Sequence, residues 1–323
     1  MGSGLKDFLD SRLPVLFDID SAGLTIVDDL TMSTVAIGLV LLSALFHALR
    51  SLFTKESGDK QIFLWLYSIF ALLFFTPPFF YFFFKTGIHN SAAYAWSVGS
   101  GFIHFLYWLF LTSAYKEGDL SHVYPIMRSS PALVLILAMV FLGEQISVQG
   151  LAGILLVATG VYTINMKHIS GKELFAPVKS ITRDRSTQLA FLTLISVTLY
   201  SIVDKMAVNY IHPVLFAFFH LFFGMCFYTP YILFIKSGVE IKKEWNSGPG
   251  KIIMSGIIGI VGYTLILVAF TIERVSYIVS LRQTSVVFAV LMGSYFLKEK
   301  HGGIRLAGAL IIFVGGFLIS LAK

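Results

Sequence analysis

The chain has 323 residues, of which 56% are apolar and only 13% charged, against about 25% charged in an ordinary soluble domain. With a mean hydropathy of +0.81, this excludes a disordered chain and a separate soluble catalytic domain, and predicts one all-α membrane protein. The single cysteine, Cys226, leaves no disulfide or cysteine-rich metal site, and the net charge of +6 is read as orientation in a bilayer rather than as nucleic-acid binding.

Residues 1–31 form an acidic segment, with Asp7, Asp10, Asp18, Asp20, Asp28 and Asp29 set around Leu5, Phe8, Leu9 and Leu13. Two readings stand: a surface helix that binds a partner, or a loose tail or tag. It lacks the basic start and unbroken apolar run of a signal peptide. From there a bilayer core of about 30 Å needs about 20 helical residues per crossing. Ten apolar runs of that order follow, at 33–53, 62–84, 93–115, 120–142, 147–166, 187–206, 212–235, 251–271, 275–297 and 303–322. The one long polar connection, 167–185, carries Lys167, Lys172, Lys179, Arg183 and Arg185, and divides a first repeat at 32–166 from a second at 186–323.

The halves repeat. Leu142, Glu144 and Leu151-Ala152-Gly153 recur 155 residues later as Leu297, Glu299 and Leu306-Ala307-Gly308, while Ser121, Leu155 and Gly160 match Ser276, Leu310 and Gly315. A weaker match at a shift of 150 relates Leu49, Ser51 and Lys55 to Leu199, Ser201 and Lys205. A unit with an odd number of spans begins its second copy on the other side of the bilayer, so ten transmembrane helices are expected as two inverted five-helix repeats. Loops on the side of the N-terminus hold six basic residues and the opposite loops fifteen. The positive-inside rule then puts both termini outside the cytoplasm, in an inner or plasma membrane.

These residues resemble the EamA-type transporters of the drug/metabolite transporter superfamily. The resemblance covers Met32 to Lys323 and is carried by Phe141-Leu142-Gly143-Glu144 before Gly150-Leu151-Ala152-Gly153, by Leu297-Lys298-Glu299 before Leu306-Ala307-Gly308, and by Lys55 and Lys205 at the ends of the first and sixth spans. It implies a ten-helix solute carrier with a central cavity lined by spans 1, 3, 4, 6, 8 and 9 and with spans 5 and 10 at the periphery. It does not specify a substrate. The glycine pairs Gly153/Gly160 and Gly308/Gly315, each two turns apart, are read as close-packing faces. Glu144 and Glu299 are read as acceptors for exposed backbone amides at helix ends.

An ionisable group inside a span costs at least about 2.5–3.5 kcal/mol on insertion scales and marks a site by default. Arg128 lies about 12 Å into the fourth span at about 1.5 Å per residue, with Tyr124 one turn earlier and Pro125 and Pro131 on either side. It is the leading substrate-binding candidate, the other reading being an arginine that caps carbonyls freed by the prolines. Arg282, about 10 Å into the ninth span, enters from the opposite face, although the repeat aligns Arg128 with its neighbour Gln283. His47 and Arg50 share a face of the first span, where Arg50 either binds substrate or snorkels. His104, with Trp108 one turn on, falls at mid-depth as a ligand, a proton relay or a hydrogen-bonded core histidine. His220 is read as structural. Asp204 and Glu273, at the outer ends of spans 6 and 8, are gate or coupling candidates, read chiefly as charges paired with Lys205 and Arg274. Tyr107, Tyr200 and Tyr263 join Trp108 and Tyr124 as aromatic walls.

No P-loop, HExxH or GxSxG motif occurs, and no enzyme activity, cofactor or metal is expected. The residues point to an alternating-access secondary carrier of a small anionic or zwitterionic metabolite. The alternatives are an exporter of amphipathic amino acids or drugs, and a non-transporting subunit of a membrane complex.

Overall fold

The computed structural model describes residues 32–117, 126–164, 184–297 and 303–322, and among these all regular structure is helical. The acidic segment, most of the basic linker, Tyr124, Pro125, Ser121 and Glu299 lie outside the described residues. The first repeat supplies α1 (Thr34–Glu56), α2 (Lys60–Thr86), α3 (Ala92–Glu117), α4 (Ser130–Phe141) and α5 (Val148–Ile164). The second supplies α6 (Arg185–Ala207), α7 (Pro213–Ile235), α8 (Gly238–Ser247), α9 (Pro249–Ile272), α10 (Val275–Leu281), α11 (Thr284–Leu297) and α12 (Gly303–Ser320). Among the described residues seven helical stretches are long and apolar enough to cross a membrane, counting Val275–Met292 as one, and two shorter apolar helices accompany them. Large apolar side chains such as Phe84, Val140, Phe234 and Leu306 point outward, as lipid-facing groups do in a chain that cannot offer water a polar face.

Helix partners are exchanged between the repeats. α3 packs on α6 as α1 packs on α9, α7 packs on α3 as α9 packs on α2, and α5 packs on α12. Exchanging the two halves reproduces this set of pairs, so the sequence repeat is also a repeat of packing.

The α5/α12 seam shows why the glycines recur. A Cβ on Gly153 would sit 2.8 Å from the Gly315 carbonyl, and one on Gly160 would sit 2.8 Å from the Gly308 carbonyl. Each glycine therefore faces the backbone at the other glycine of the opposite pair, as an antiparallel crossing requires, and the expected close-packing face is present. Glu144 also acts as expected: its carboxylate accepts from the Val275 amide at 2.6 Å and from the Ser276 hydroxyl at 2.6 Å, capping the start of α10 from the other repeat.

Two spans are interrupted, the fourth beside the arginine whose flanking prolines pointed to a broken helix and the ninth without such a signal. The fourth span is not one helix: Ile126–Arg128 form a turn, Ser129 leaves the helical path, and α4 starts at Ser130 with Pro131 in its first turn. Pro131 lacks an N–H, and its ring disfavours helix just before it. The ninth span breaks at Arg282–Gln283, where Gln283 bonds Ser280 and Ser285 bonds Arg282, tighter i to i−3 turns. The two breaks fall within about two residues of each other under the 155-residue shift, which carries Ser129 to Thr284. The loop after α7 holds α8, whose Ser237 and Glu240 form a reciprocal capping box. The Ser-x-x-Glu spacing was there to be read.

α8 ties one end of the bundle. Trp245 stacks on Phe70 at 5.3 Å, Glu244 accepts from the Asp59 amide at 2.8 Å, and Lys236 pairs with Asp59. Burial pushes the Asp59 carboxyl up, but Lys236 and the amides of Ile62 and Gln61 outweigh it and hold it below its ordinary range.

Candidate functional site

Between the repeats lies a cavity of about 610 Å³, within the usual range for small-molecule sites. Its walls include His47 and Arg50 of α1, Tyr67 of α2, His104, Tyr107 and Trp108 of α3, Tyr200 of α6, Tyr263 of α9, and Arg128, Arg282 and Gln283 at the two helix breaks. It runs out to Lys55, Lys60 and Arg305 at the end of the bundle where α1 finishes and α2 and α12 begin. Six cationic side chains line it, Arg50, Lys55, Lys60, Arg128, Arg282 and Arg305, and no carboxylate does among the described residues.

The arginines are held in place. Arg128 Nη2 lies 3.1 Å from His47 Nε2, and Arg50 Nη2 lies 3.1 Å from His47 Nδ1. A neutral imidazole has one lone-pair nitrogen, so it accepts from one guanidinium at a time. The face of α1 therefore links Arg50 to Arg128 across the repeat's interior. Arg50 also lies over the Tyr67 ring at 5.6 Å and Arg282 over the Tyr263 ring at 5.7 Å, cation–π contacts that fix two long side chains. Gln283, 6% exposed, has a buried Oε1 with no hydrogen-bond partner among the described residues.

Helix discontinuity explains how cations reach this depth. An arginine at an interrupted helix keeps its guanidinium beside unbonded backbone and a polar cavity, instead of in hydrocarbon. Both breaks put their polar residue on the cavity wall, so Arg128 and Gln283, aligned by the repeat, face one space. Arg282 joins them despite the offset of one residue.

A second polar cluster lies against the wall. Asp204 is 0% exposed. It accepts from Ser100 Oγ at 2.5 Å and from the Tyr263 hydroxyl, which lies 3.2 Å from His104 Nε2. The His104 ring stacks on Tyr200 at 4.2 Å. The expected pairing of Asp204 with Lys205 is corrected: adjacent helical residues point about 100° apart, and Lys205 reaches the carbonyls of Phe270 and Glu273 instead. Glu273 does not join Asp204. It accepts from the Ser33 amide at 2.9 Å, and Arg274 lies over the Tyr277 ring at 5.2 Å.

Sequence reasoning therefore located His47, Arg50, His104, Trp108, Arg128, Arg282 and Gln283 on one cavity. It missed Ser100, although Ser100 and His104 stand one turn apart on a helix face. Tyr67, Ser68 and Leu64 of α2 and His220 of α7 also line the cavity, so its walls extend beyond the spans that the resemblance implied. His220 bonds the Phe216 carbonyl at 3.1 Å with its ring 4.8 Å from those of His104 and Tyr263.

Comparison with known proteins agrees with this architecture. The model of the EamA-like transporter family matches residues 34–166 and 186–321, one match per repeat. The chain is similar to a solved crystal structure described only as that of a protein, at 15% identity with a TM-score of 0.69 over 88% of this chain and 97% of the other. No curated protein matches.

Proposed function

Because the chain belongs to the EamA-like transporter family, and is by that membership an integral membrane transporter of the drug/metabolite type, we propose that it is a secondary carrier of a small organic anion that works by alternating access. The observation that carries this reading is the lining of the cavity: six cations, three of them arginines in its interior, and no carboxylate. A buried cluster of like charge is stable only with a counter-charge, and a carboxylate or phosphate engaged by two guanidiniums provides it through bidentate, charge-assisted hydrogen bonds. Arg128 is the principal ligand, with Arg50 and Arg282 closing on the same group. The unpartnered Gln283 oxygen favours a substrate that also carries a donor, such as a hydroxyl or an ammonium group. Tyr107, Trp108 and Tyr200 wall the remainder.

With five spans in each repeat the second runs antiparallel to the first, and the cavity lining reaches the end of the bundle at Lys55, Lys60 and Arg305. That end carries most of the basic loop residues and is therefore cytoplasmic, with both termini outside. The other end is sealed by Glu273 on the Ser33 amide, by Lys205 on the Phe270 and Glu273 carbonyls, and by Glu144 on α10. These contacts are the gate: opening outward breaks them while the Lys55, Lys60 and Arg305 end closes.

The test is a thermal-shift screen of the purified protein against succinate, glycerol 3-phosphate, inorganic phosphate, amino acids and cationic amines, repeated with Arg128→Ala. A ligand at a hundredfold excess over its Kd stabilises by about 2.7 kcal/mol. Stabilisation by one anion class, lost in Arg128→Ala, is expected. Stabilisation by amines or neutral aromatics alone, equal in the variant and lost in Trp108→Ala, sinks the anion reading and favours an exporter of amphipathic solutes.

A further inference from the structure

The buried carboxylate beside the cavity has no role in holding an anion, and its hydrogen-bond partners define a different chemistry. His104 Nδ1 lies 2.9 Å from the Ser100 carbonyl oxygen, which only accepts, so Nδ1 carries the ring hydrogen and Nε2 of the neutral ring is a lone pair. Nε2 faces the Tyr263 hydroxyl at 3.2 Å, and that hydroxyl also faces Asp204 Oδ2. Tyr263 has one hydrogen and two acceptors. With Asp204 ionised and His104 neutral, the carboxylate takes it and Nε2 is left without a protein donor.

One added proton completes the set. On His104, Nε2–H donates to the Tyr263 oxygen while Tyr263 donates to Asp204. On Asp204, the carboxylic acid donates to the Tyr263 oxygen while Tyr263 donates to Nε2. The two arrangements interconvert by moving hydrogens along Asp204–Tyr263–His104 without moving a heavy atom. Ser100 Oγ, 2.5 Å from the other carboxylate oxygen, holds the acid in place in both. Tyr263 and His104 line the cavity and Asp204 stands behind them, so a proton enters and leaves from the cavity side.

We propose that Asp204, Tyr263 and His104 form a single-proton site that couples anion movement to a proton travelling in the same direction, an inference that rests on the anion reading above. The titratable and charged groups around Asp204 are His104 from α3, Tyr263 from α9 and Arg282 at the end of α10, with His220 from α7 beside the His104 and Tyr263 rings and Tyr200 of α6 stacked on His104. The Arg282 charge opposes a second positive charge on this cluster until a counter-charge arrives. Arg282, 5.7 Å from the centre of the Tyr263 ring, joins the two sites: an anion bound there offsets its charge and favours the added proton, and by linkage the proton favours the anion equally. Solvent supplies the proton on one side and receives it on the other, with no change to any covalent bond of the substrate.

The experiment titrates the full-length protein, in weakly buffered detergent, with succinate, glycerol 3-phosphate and inorganic phosphate while an indicator dye reads proton uptake. Wild type is expected to take up about one proton per anion bound, and its Kd to weaken by up to about tenfold per pH unit as pH rises. Asp204→Asn is expected to bind the anion with no uptake and no pH slope. Tyr263→Phe, which keeps the ring and removes the relay hydroxyl, loses the uptake as well and carries the test if the asparagine variant does not fold. Anion binding without proton uptake anywhere between about pH 5 and 9 overturns the coupling and leaves the anion site standing. Uptake that persists in both variants overturns the assignment to these residues. If none of the probe anions binds, the anion reading falls and this proposal falls with it.

Discussion

The α5/α12 seam and the central cavity are built from the same two repeats, yet one keeps the repeat's symmetry and the other breaks it. Along the seam Gly153 faces Gly315 and Gly160 faces Gly308, identical residues doing identical work from both sides. In the cavity the aligned partners differ: Arg128 is matched by Gln283, Arg50 by Tyr200 and His47 by Val197. Packing between two copies of one motif is satisfied by one solution used twice. A binding site for one small molecule is not symmetric, because the ligand is not, and on the proposed anion reading the cations gather where the solute's charged end would rest. Symmetric positions hold the scaffold, and departures from symmetry mark the site.

Substitutions can break this division at either side. The largest effect is expected in the cavity: Arg128→Ala removes the proposed principal anion ligand and is expected to cost about 2–5 kcal/mol of anion binding, with the protein's own melting temperature nearly unchanged. A fall in thermal stability that matches the loss of binding would make Arg128 scaffold rather than site. At the seam the pattern reverses. In Gly160→Ala the new methyl meets the Gly308 carbonyl and the Ile312 amide, both 2.8 Å away, and overpacking of this kind costs about 1–3 kcal/mol. Anion affinity per folded molecule stays at the wild-type value, and denaturation in detergent reads the difference.

Glu144→Ala tests the cap that joins the repeats at the sealed end. It removes charge-assisted hydrogen bonds to Val275 and Ser276, worth about 1.5–3 kcal/mol each at most, and shifts the conformational balance toward the outward-open form. Accessibility of a cysteine placed at Ser33 measures that shift. The smallest effect belongs to Asp184, which caps α6 through the Thr187 amide at 3.0 Å. Hydrogen bonds from Ser186 and Thr187 lower its carboxyl to about 2, against about 3.9 unfolded. A depressed acid stabilises the fold above the unfolded value and loses that contribution as pH falls from about 4 to about 2. Solvent screening keeps it small. Asp184→Ala costs about 1 kcal/mol near neutral pH, and its difference from wild type vanishes at the acid end of a melting series.

How much was legible followed from the range of each interaction. Spans were readable because crossing a bilayer is a demand on every residue of a run, and most bounds agree within a few residues. The seam glycines and the Glu144 cap were readable because the repeat prints each of them twice. The interruption at Arg282–Gln283 was not: no proline marks it, and only alignment with the Pro131 break gives it away. Asp204 was misread because Lys205 is its neighbour in sequence, whereas its real partners are Ser100, at a separation of 104 residues, and Tyr263, at 59.

By itself the sequence determined a membrane protein of two homologous helical repeats, since hydropathy, span length and internal repetition are carried by residues close together in the chain. It also singled out Arg50, Arg128, Arg282, His47 and His104, because an ionisable group among apolar ones is conspicuous wherever the helix goes. Only the tertiary structure decided that His47 stands between Arg50 and Arg128, that both helix breaks face one cavity, and that a carboxylate, a phenol and an imidazole from three helices meet in a single hydrogen-bonded chain. Those are properties of pairs of residues, and in a bundle whose two halves exchange helix partners, pairs are set by packing rather than by order along the chain.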